Sequence, residues 1–143
     1  MLLNFEQRFE APILAKIKRH TIRAPRKRRP RVGETCHCYT GLRHPGARLI
    51  GRWRCVKVQY ITIKLRHYAF MGVYARIRID GVLLRGEDEY ERFAQSDGFN
   101  SLAEMFAYWK GKLPFYGDLI HWDPEQRVVG ANRNRRAKIA REL

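Results

Sequence analysis

Residues 16–31, KIKRHTIRAPRKRRPR, concentrate side chains that bind anions. They include nine Lys or Arg and no acid. Cations at this density attract phosphates, because each neutralised phosphate releases counterions. The same run contains the pattern KRHTIR, in which Lys18 and Thr21 place an amine and a hydroxyl close together. The run therefore raises two possibilities, a purely electrostatic surface or a chemical site within one.

The charge of the whole chain is as uneven as this run. The 143 residues carry a formal net charge of +15, and residues 11–79 hold eighteen Lys or Arg against the single acid Glu34. The remainder has eleven against thirteen acids. Solubility alone does not require acids to vanish from so long a stretch. The distribution favours RNA or another nucleic acid as the partner.

Membrane, secretion and metal functions receive little support. No run approaches the roughly 20 apolar residues of a membrane span, and the start MLLNFEQRFE has no secretion signal, so we expect an intracellular protein with no membrane partner. The cysteines are odd in number, and on a strand His37 points away from Cys36 and Cys38. We expect no metal site and no cofactor.

The first half of the chain predicts one helix followed by strands. Pro12 fits only a first helical turn, which predicts a helix over residues 11–18. A short strand follows over residues 20–23, with Thr21 and Arg23 on one face and His20 and Ile22 on the other. Residues 25–31 form a charged loop, and residues 34–40 a second strand. Residues 49–65 are β-rich and form either one bent strand or two.

The second half contains the clearest periodicities. Residues 73–79 alternate between apolar side chains and Tyr74, Arg76 and Arg78, and Asp80-Gly81 predicts a tight hairpin to residues 82–84. Acids open a helix over residues 87–94, which Asp97-Gly98 ends. A capping box at residues 101–104 opens a second helix that buries an amphipathic stripe, namely Leu102, Met105, Phe106 and Trp109.

A last strand is predicted over residues 118–122, stopped by Asp123-Pro124. Residues 126–143 read as a basic tail, either flexible or ordered by a partner. The folded part, residues 1–125, is then a single domain. Strands outnumber helices and no βαβ rhythm is present, so the sequence predicts the α+β class, a small mixed β-barrel with short helices packed at its ends and outside.

These features together resemble the ASCH family. The resemblance rests on F-x-x-x-I-L-A-x-x-K-x-x-T-I-R, running from Phe9 to Arg23, on a glycine-led strand at Gly33, on Asp97-Gly98 before a helix, and on a last strand LIHW. It covers nearly the whole folded part. The chain is most similar to ASCH-like proteins of bacteriophages and bacteria. The resemblance implies a PUA-like fold, a link to RNA, and a cytoplasmic location in a bacterium or phage-infected host.

The resemblance also implies a site. In the acetylcytidine amidohydrolases of this family, the residue matching Lys18 is the proton acceptor, that matching Thr21 the nucleophile, and that matching Asp97 the proton donor. A threonine hydroxyl needs such a base, and a lysine can serve only if burial or cationic neighbours lower its pKa from about 10.4. Cations at Arg19 and Arg23 could supply that effect. This chain departs from the family in having Lys16 where a glycine is common and Asp97 where the amidohydrolases have Glu.

Two main functional hypotheses follow. In the first, the chain binds RNA or another single strand in a basic cleft that contains Lys18, Thr21 and Arg23. Other cations hold phosphates, namely Arg19, Arg26, Lys27, Arg28, Arg29 and Arg31. Tyr74, Arg76 and Arg78 offer a second face on which a base can stack or a phosphate can bind. In the second, it is a hydrolase of a modified nucleoside or of RNA that uses Lys18, Thr21 and Asp97. Each of those three could instead be an ordinary solvated cation, strand residue or turn residue. A receptor for an acidic protein is a third alternative.

Overall fold

The computed structural model describes residues 1–68 and 72–129, with the backbone only for residues 67, 68 and 72–74. Within these residues the elements follow the order β1 (Leu2–Phe5), α1 (Glu10–Leu14), β2 (His20–Arg23), β3 (Thr35–Thr40), β4 (Arg48–Tyr68), β5 (Gly72–Ile79), β6 (Val82–Leu83), α2 (Gly86–Ser96), α3 (Leu102–Trp109) and β7 (Phe115–Arg127). The predicted α+β class is confirmed. Of the predicted basic tail, residues 130–143 lie outside the described residues.

The sheet is organised around β4, the longest strand. β3 and then β5 pair antiparallel along β4, β7 pairs with its other edge, and β1 lies parallel to β3. β2 pairs only with β7, and β6 only with β5, within the described part of the chain. The hydrogen-bonded sheet therefore stays open there, and a closed barrel is not confirmed. β4 also resolves one alternative, because residues 48–68 form a single strand.

The predicted hairpin is confirmed. Asp80 and Gly81 both have positive φ, 49° and 80°, as a tight turn between paired strands requires. Ile77 is buried in the core, whereas Arg78 on the opposite face is exposed. The side chain of Tyr74 lies outside the described residues.

The helices cover the side of the sheet that carries the apolar residues of β4, β5 and β7. The predicted capping box forms in part. The Ser101 hydroxyl accepts a hydrogen bond from the Glu104 amide at 3.2 Å, whereas the Glu104 carboxylate accepts from the Asn100 amide, at 3.4 Å, rather than from that of Ser101. Met105 and Trp109 are buried, but Leu102 and Phe106 are only half-buried, so the predicted burial of this stripe is confirmed in part. In the described residues, no helix has the length and apolar character needed to cross a membrane.

Two predicted boundaries are wrong, each for a local reason. The first helix ends at Leu14 rather than Lys18, because Lys16 takes a left-handed conformation with φ 62°. The last strand does not stop at Pro124 but continues to Arg127. Its pairing with β4 is irregular between Trp122 and Arg127, so Pro124 lies where no ladder hydrogen bond is required of it.

The left-handed residue gives a first prediction. Lys16→Gly is expected to raise the free energy of unfolding by about 1 kcal/mol, because a Cβ in this conformation costs roughly 1–2 kcal/mol and glycine avoids that cost. The ion pair from Lys16 to Glu125, 2.8 Å long, is exposed, and its loss removes little. Urea unfolding measures the change. Lys16→Ala is the control, and equal stability of the Gly and Ala variants would contradict the prediction.

Candidate functional site

A cleft of about 580 Å³ opens beside β2, at the point where β1, the segment after α2 and α3 approach it. Aromatic rings form much of its wall, contributed by Phe5, Phe9, Phe99, Tyr108, Trp109 and Phe115. Its polar and charged lining consists of Asn4, Glu6, Lys18, Thr21, Arg23, Asp97 and Lys112. The cleft thus brings together the four residues that the sequence placed in one site, namely Lys18, Thr21, Arg23 and Asp97.

Lys18 and Asp97 form a buried ion pair in this cleft. The Lys18 amine donates to the Asp97 carboxylate at 2.9 Å and to the Asp97 backbone carbonyl at 2.6 Å. The two residues are only 3 % and 4 % exposed. The amine also lies 4.9 Å from the centre of the Phe9 ring, within cation–π range. An ammonium has three N–H groups, so one remains available to a ligand.

The backbone geometry after α2 places the Asp97 carboxylate against the Lys18 amine. Asp97 ends α2, and Gly98 follows with φ +98°, a conformation that favours glycine. A Cβ on Gly98 would also lie 2.9 Å from the Phe9 ring and 3.1 Å from the Lys18 chain. The Asp97-Gly98 pair is therefore both the predicted helix break and the support for the ion pair.

His20 is a site residue that the sequence analysis missed. Its Nδ1 lies 3.1 Å from the Asp97 carboxylate, and its Nε2 pairs with the Ser96 hydroxyl at 3.0 Å. That hydroxyl donates to Phe93 O, so it accepts from Nε2. Strand alternation predicts that His20 lies on the face of β2 opposite Thr21. From that face its ring contacts the Asp97 carboxylate. The signal was its position two residues after Lys18, since such residues share a side of an extended chain.

The protonation of the pair follows from its burial. Burial lowers the pKa of Lys18, and Arg23 lowers it further, although Asp97 opposes both. For Asp97, burial acts to raise the pKa, but Lys18 and His20 outweigh it, and the pKa is lowered. Asp97 is therefore a carboxylate at neutral pH. Of the two causes that the sequence offered for a lowered Lys18 pKa, burial is the larger, and of the two cations only Arg23 adds to it.

Thr21 and Arg23 contact each other on one side of β2, as predicted. The Arg23 Nε donates to the Thr21 hydroxyl oxygen at 3.0 Å, and the far end of the guanidinium donates to Asn4 O at 2.6 Å. The guanidinium also lies 4.7 Å from the centre of the Phe5 ring. Arg23 is thus fixed from three sides. The Thr21 hydroxyl proton is not used in the bond from Arg23, so it can be donated elsewhere.

Most arginines of the loop between β2 and β3 are tied to the protein itself. Arg26 donates to Leu2 O, Arg28 pairs with Glu34 at 2.8 Å, and Arg29 pairs with Asp118 at 3.1 Å. Lys27 and Arg31 are exposed, and neither side chain has an ion pair or hydrogen bond within the described residues. Phosphate binding by residues 26–29 stays a prediction. Three of the four side chains already have a partner within the protein, and only the Lys27 amine has none among the described residues.

Three other predicted binding residues lie outside the cleft, and two of them belong to the second face that the sequence predicted. Arg19 donates to Lys16 O at 2.7 Å and so supports the left-handed turn. Arg76 and Arg78 lie on β5, half-buried and exposed respectively. Three free cysteines lie in the core, and no set of three His, Cys, Asp or Glu side chains is arranged to hold a metal among residues 1–66 and 75–129.

Comparisons with known proteins were negative at all three levels. No protein-family model, curated protein or solved structure matches the chain. The geometry and charge of the cleft and of the surfaces around it are therefore the evidence for function.

Proposed function

We propose that this protein is an RNA-binding domain of the ASCH type, with a PUA-like fold, whose cleft holds the base of one nucleotide. The observation that carries the proposal is the combination of aromatic walls with Lys18, Arg23 and Lys112 in one cleft. The volume of the cleft falls within the roughly 300–1,000 Å³ of small-molecule sites. Unstacked RNA bases bind between aromatic rings and guanidinium planes, and both are available here.

The charges of the cleft suit a polar base next to a phosphate. Asp97 neutralises Lys18, whose third N–H can donate to a base carbonyl or ring nitrogen. Arg23 and Lys112 outnumber Glu6, the other acid of the lining, so the cleft keeps a net positive charge. Lys27 and Arg31 extend it onto the loop that follows β2. A cytoplasmic location accords with such a partner.

A hydrolase is the second candidate, and the bond from Arg23 to Thr21 favours it. That bond would stabilise negative charge on the hydroxyl oxygen as it attacks an acetyl carbonyl. The base would be the neutral form of the Lys18 amine, which the lowered pKa favours. It would take the threonine proton and pass it to the departing amine when the C–N bond breaks. Water would then release acetate from Thr21. Asp97 is ionised, so in this scheme it orients Lys18, and the donor role implied by the resemblance would first require its protonation.

Binding of a fluorescein-labelled single-stranded RNA, followed by anisotropy, tests the proposal. Arg23→Ala is expected to weaken binding about tenfold, since a hydrogen bond to a charged group contributes roughly 1.5–3 kcal/mol. Arg54→Ala is the matched control, because Arg54 also donates to a backbone carbonyl, that of Gly33 at 2.7 Å, but lies outside the cleft.

Salt dependence provides the second measurement for the same proposal. The double change Lys27→Ala and Arg31→Ala is expected to flatten the slope of log affinity against log salt by about 0.7 for each phosphate that is no longer neutralised. Changing residues 26–29 together would instead also remove the loop's own anchors. Affinity that is independent of salt in the unmodified protein would overturn the proposal.

A further inference from the structure

A second surface lies on the sheet outside the cleft, and register shows how it is built. Tyr60, Thr62 and Lys64 alternate along β4 with the buried Ile61 and Ile63, so they point to solvent. Paired residues on neighbouring strands share a face. Thr62 pairs with both Tyr116 and Arg78, and Lys64 pairs with Arg76. The solvent face of β4, β5 and β7 therefore carries a set of tyrosines and cations. Together with Arg29 of the loop between β2 and β3, they form what we call the outer surface: Arg29, Tyr60, Lys64, Arg76, Arg78 and Tyr116.

The two tyrosines of the outer surface are unusually open for aromatic side chains. Tyr60 is 60 % exposed and Tyr116 is 54 % exposed. They are diagonal neighbours, because Tyr60 pairs with Asp118 and Tyr116 with Thr62. Diagonal side chains on adjacent strands lie about 7–8 Å apart. At this spacing each of the two rings has room for one planar group. Two exposed rings so placed can stack two bases of one strand, as aromatics on other RNA-binding sheets do.

Cations surround these rings. The Arg29 guanidinium lies 3.8 Å from the centre of the Tyr60 ring, and the Lys64 amine lies 5.2 Å from that of Tyr116. Asp118 holds Arg29 in place at 3.1 Å while Arg29 stays 41 % exposed. Asp118 and Asp80 are the acids here, and both have hydrogen-bond partners within the protein. The surface therefore complements a chain of phosphates.

The outer surface is also continuous with the cleft. Asp118 pairs with Tyr60 on one side and with Arg23 of β2 on the other. Arg23 lines the cleft, and Arg29 reaches Asp118 and Tyr60 from the loop that follows β2. A strand lying on the outer surface can thus lead from Tyr116 and Tyr60 to Arg23 along one face of the sheet.

We propose that the outer surface binds single-stranded RNA by stacking, so that the cleft receives a nucleotide within a strand rather than a free nucleoside. Stacking of RNA on the outer surface is inferred from that surface alone. Entry of a nucleotide of the same strand into the cleft rests on the proposed function of the cleft. Tyr60 and Tyr116 stack successive bases, and Arg29, Lys64 and Arg78 contact the phosphates between them.

The test measures affinity for labelled oligouridylates of increasing length, from two to twelve nucleotides. The affinity of the unmodified protein should rise with length until the outer surface is covered. Tyr60→Ala and Tyr116→Ala should each weaken binding of the longest oligomer about tenfold, the effect expected when one base–aromatic stack is removed. Tyr60→Phe and Tyr116→Phe keep the ring and should bind like the unmodified protein.

Controls separate this proposal from that for the cleft. Val82→Ala, at a 68 % exposed apolar residue of the same hairpin, should change nothing. Arg23→Ala should weaken binding at every length. Normal binding by both Tyr→Ala variants, with weakened binding by Arg23→Ala, would overturn the proposal for the outer surface and support that for the cleft. Normal binding by all three variants would overturn both.

Two further measurements exclude other partners. Ultraviolet crosslinking of a 4-thiouridine oligomer to the unmodified protein should map to β4 and β7 even if a tyrosine variant fails to fold, and crosslinks confined to α2 would overturn the proposal. Competition by a DNA oligomer, by duplex RNA and by poly-glutamate distinguishes the sources of negative charge. Poly-glutamate or duplex RNA that competes as well as single-stranded RNA would contradict stacking. DNA that competes equally would extend the proposal to either single strand.

Discussion

Asp97→Asn is expected to lower the free energy of unfolding by about 3–5 kcal/mol, the usual cost of leaving a buried charge without its partner. Lys18 is only 3 % exposed, so water solvates its charge poorly. The asparagine keeps the shape and one acceptor oxygen but removes the negative charge. Urea unfolding followed by tryptophan fluorescence measures the change. Adding Lys18→Met to the variant should recover part of the loss, since no buried charge then remains.

Asp118→Asn is the matched control. Asp118 is as buried as Asp97, at 5 % exposure, and also pairs with a cation. Its partner Arg29 is 41 % exposed, so water can solvate the guanidinium once the carboxylate is gone. The expected cost is about 1 kcal/mol or less. Equal effects of the two substitutions would contradict the buried pair described here.

The pH dependence of stability provides an independent check. The pKa of Asp97 is lowered in the folded state, so its stabilisation is present above the ordinary value of 3.8 and is lost as pH falls through the lower folded pKa. In Asp97→Asn the pKa of Lys18 falls further, because the attraction that opposed desolvation has gone. The unfolded state then binds more protons, and the variant should regain stability as pH rises towards 10.5.

Local patterns predicted the elements around the site well. The strict alternation before Asp80-Gly81 and the capping box at Ser101 depend on nearest neighbours, and both elements form. The convergence of Lys18, Thr21, Arg23 and Asp97 followed from the resemblance, which placed Asp97 opposite a segment some eighty positions earlier. Composition or periodicity alone gives no such long-range pairing.

The remaining features depend on tertiary contacts that no local signal carries. The basic loop looked like a free cationic arm, but Arg29 folds back to Asp118, 89 residues away in sequence. The sequence predicted a second face at Tyr74, Arg76 and Arg78, but not the part of it formed by Tyr60 and Tyr116, because these two become neighbours only through the register of β4 with β7. The end of α1 was misplaced because a lysine, rather than the expected glycine, takes the left-handed conformation at position 16.

Thr21→Val is expected to separate binding from catalysis in the cleft. If the protein releases acetate from acetylcytidine, in RNA or as the nucleoside, this substitution should reduce the rate by a factor of about 10³ or more, because it removes the attacking oxygen. Thr21→Ser should retain measurable activity. Affinity for an unacetylated oligomer should stay within about twofold, since the valine preserves the shape of the side chain and Arg23 keeps its bond to Asn4 O. Acetate release and anisotropy give the two readouts.

Thr40→Val provides the control for this substitution. Thr40 is a buried strand threonine, 8 % exposed, that does not line the cleft, so its loss should cost stability without altering turnover or affinity. Turnover that persists in Thr21→Val would exclude the threonine as nucleophile. No turnover in the unmodified protein, with RNA affinity reduced by Thr21→Val, would mean that the hydroxyl proton is donated to a bound base. The bond from Arg23 would then serve to aim that proton, because it occupies the oxygen and leaves the O–H group directed into the cleft.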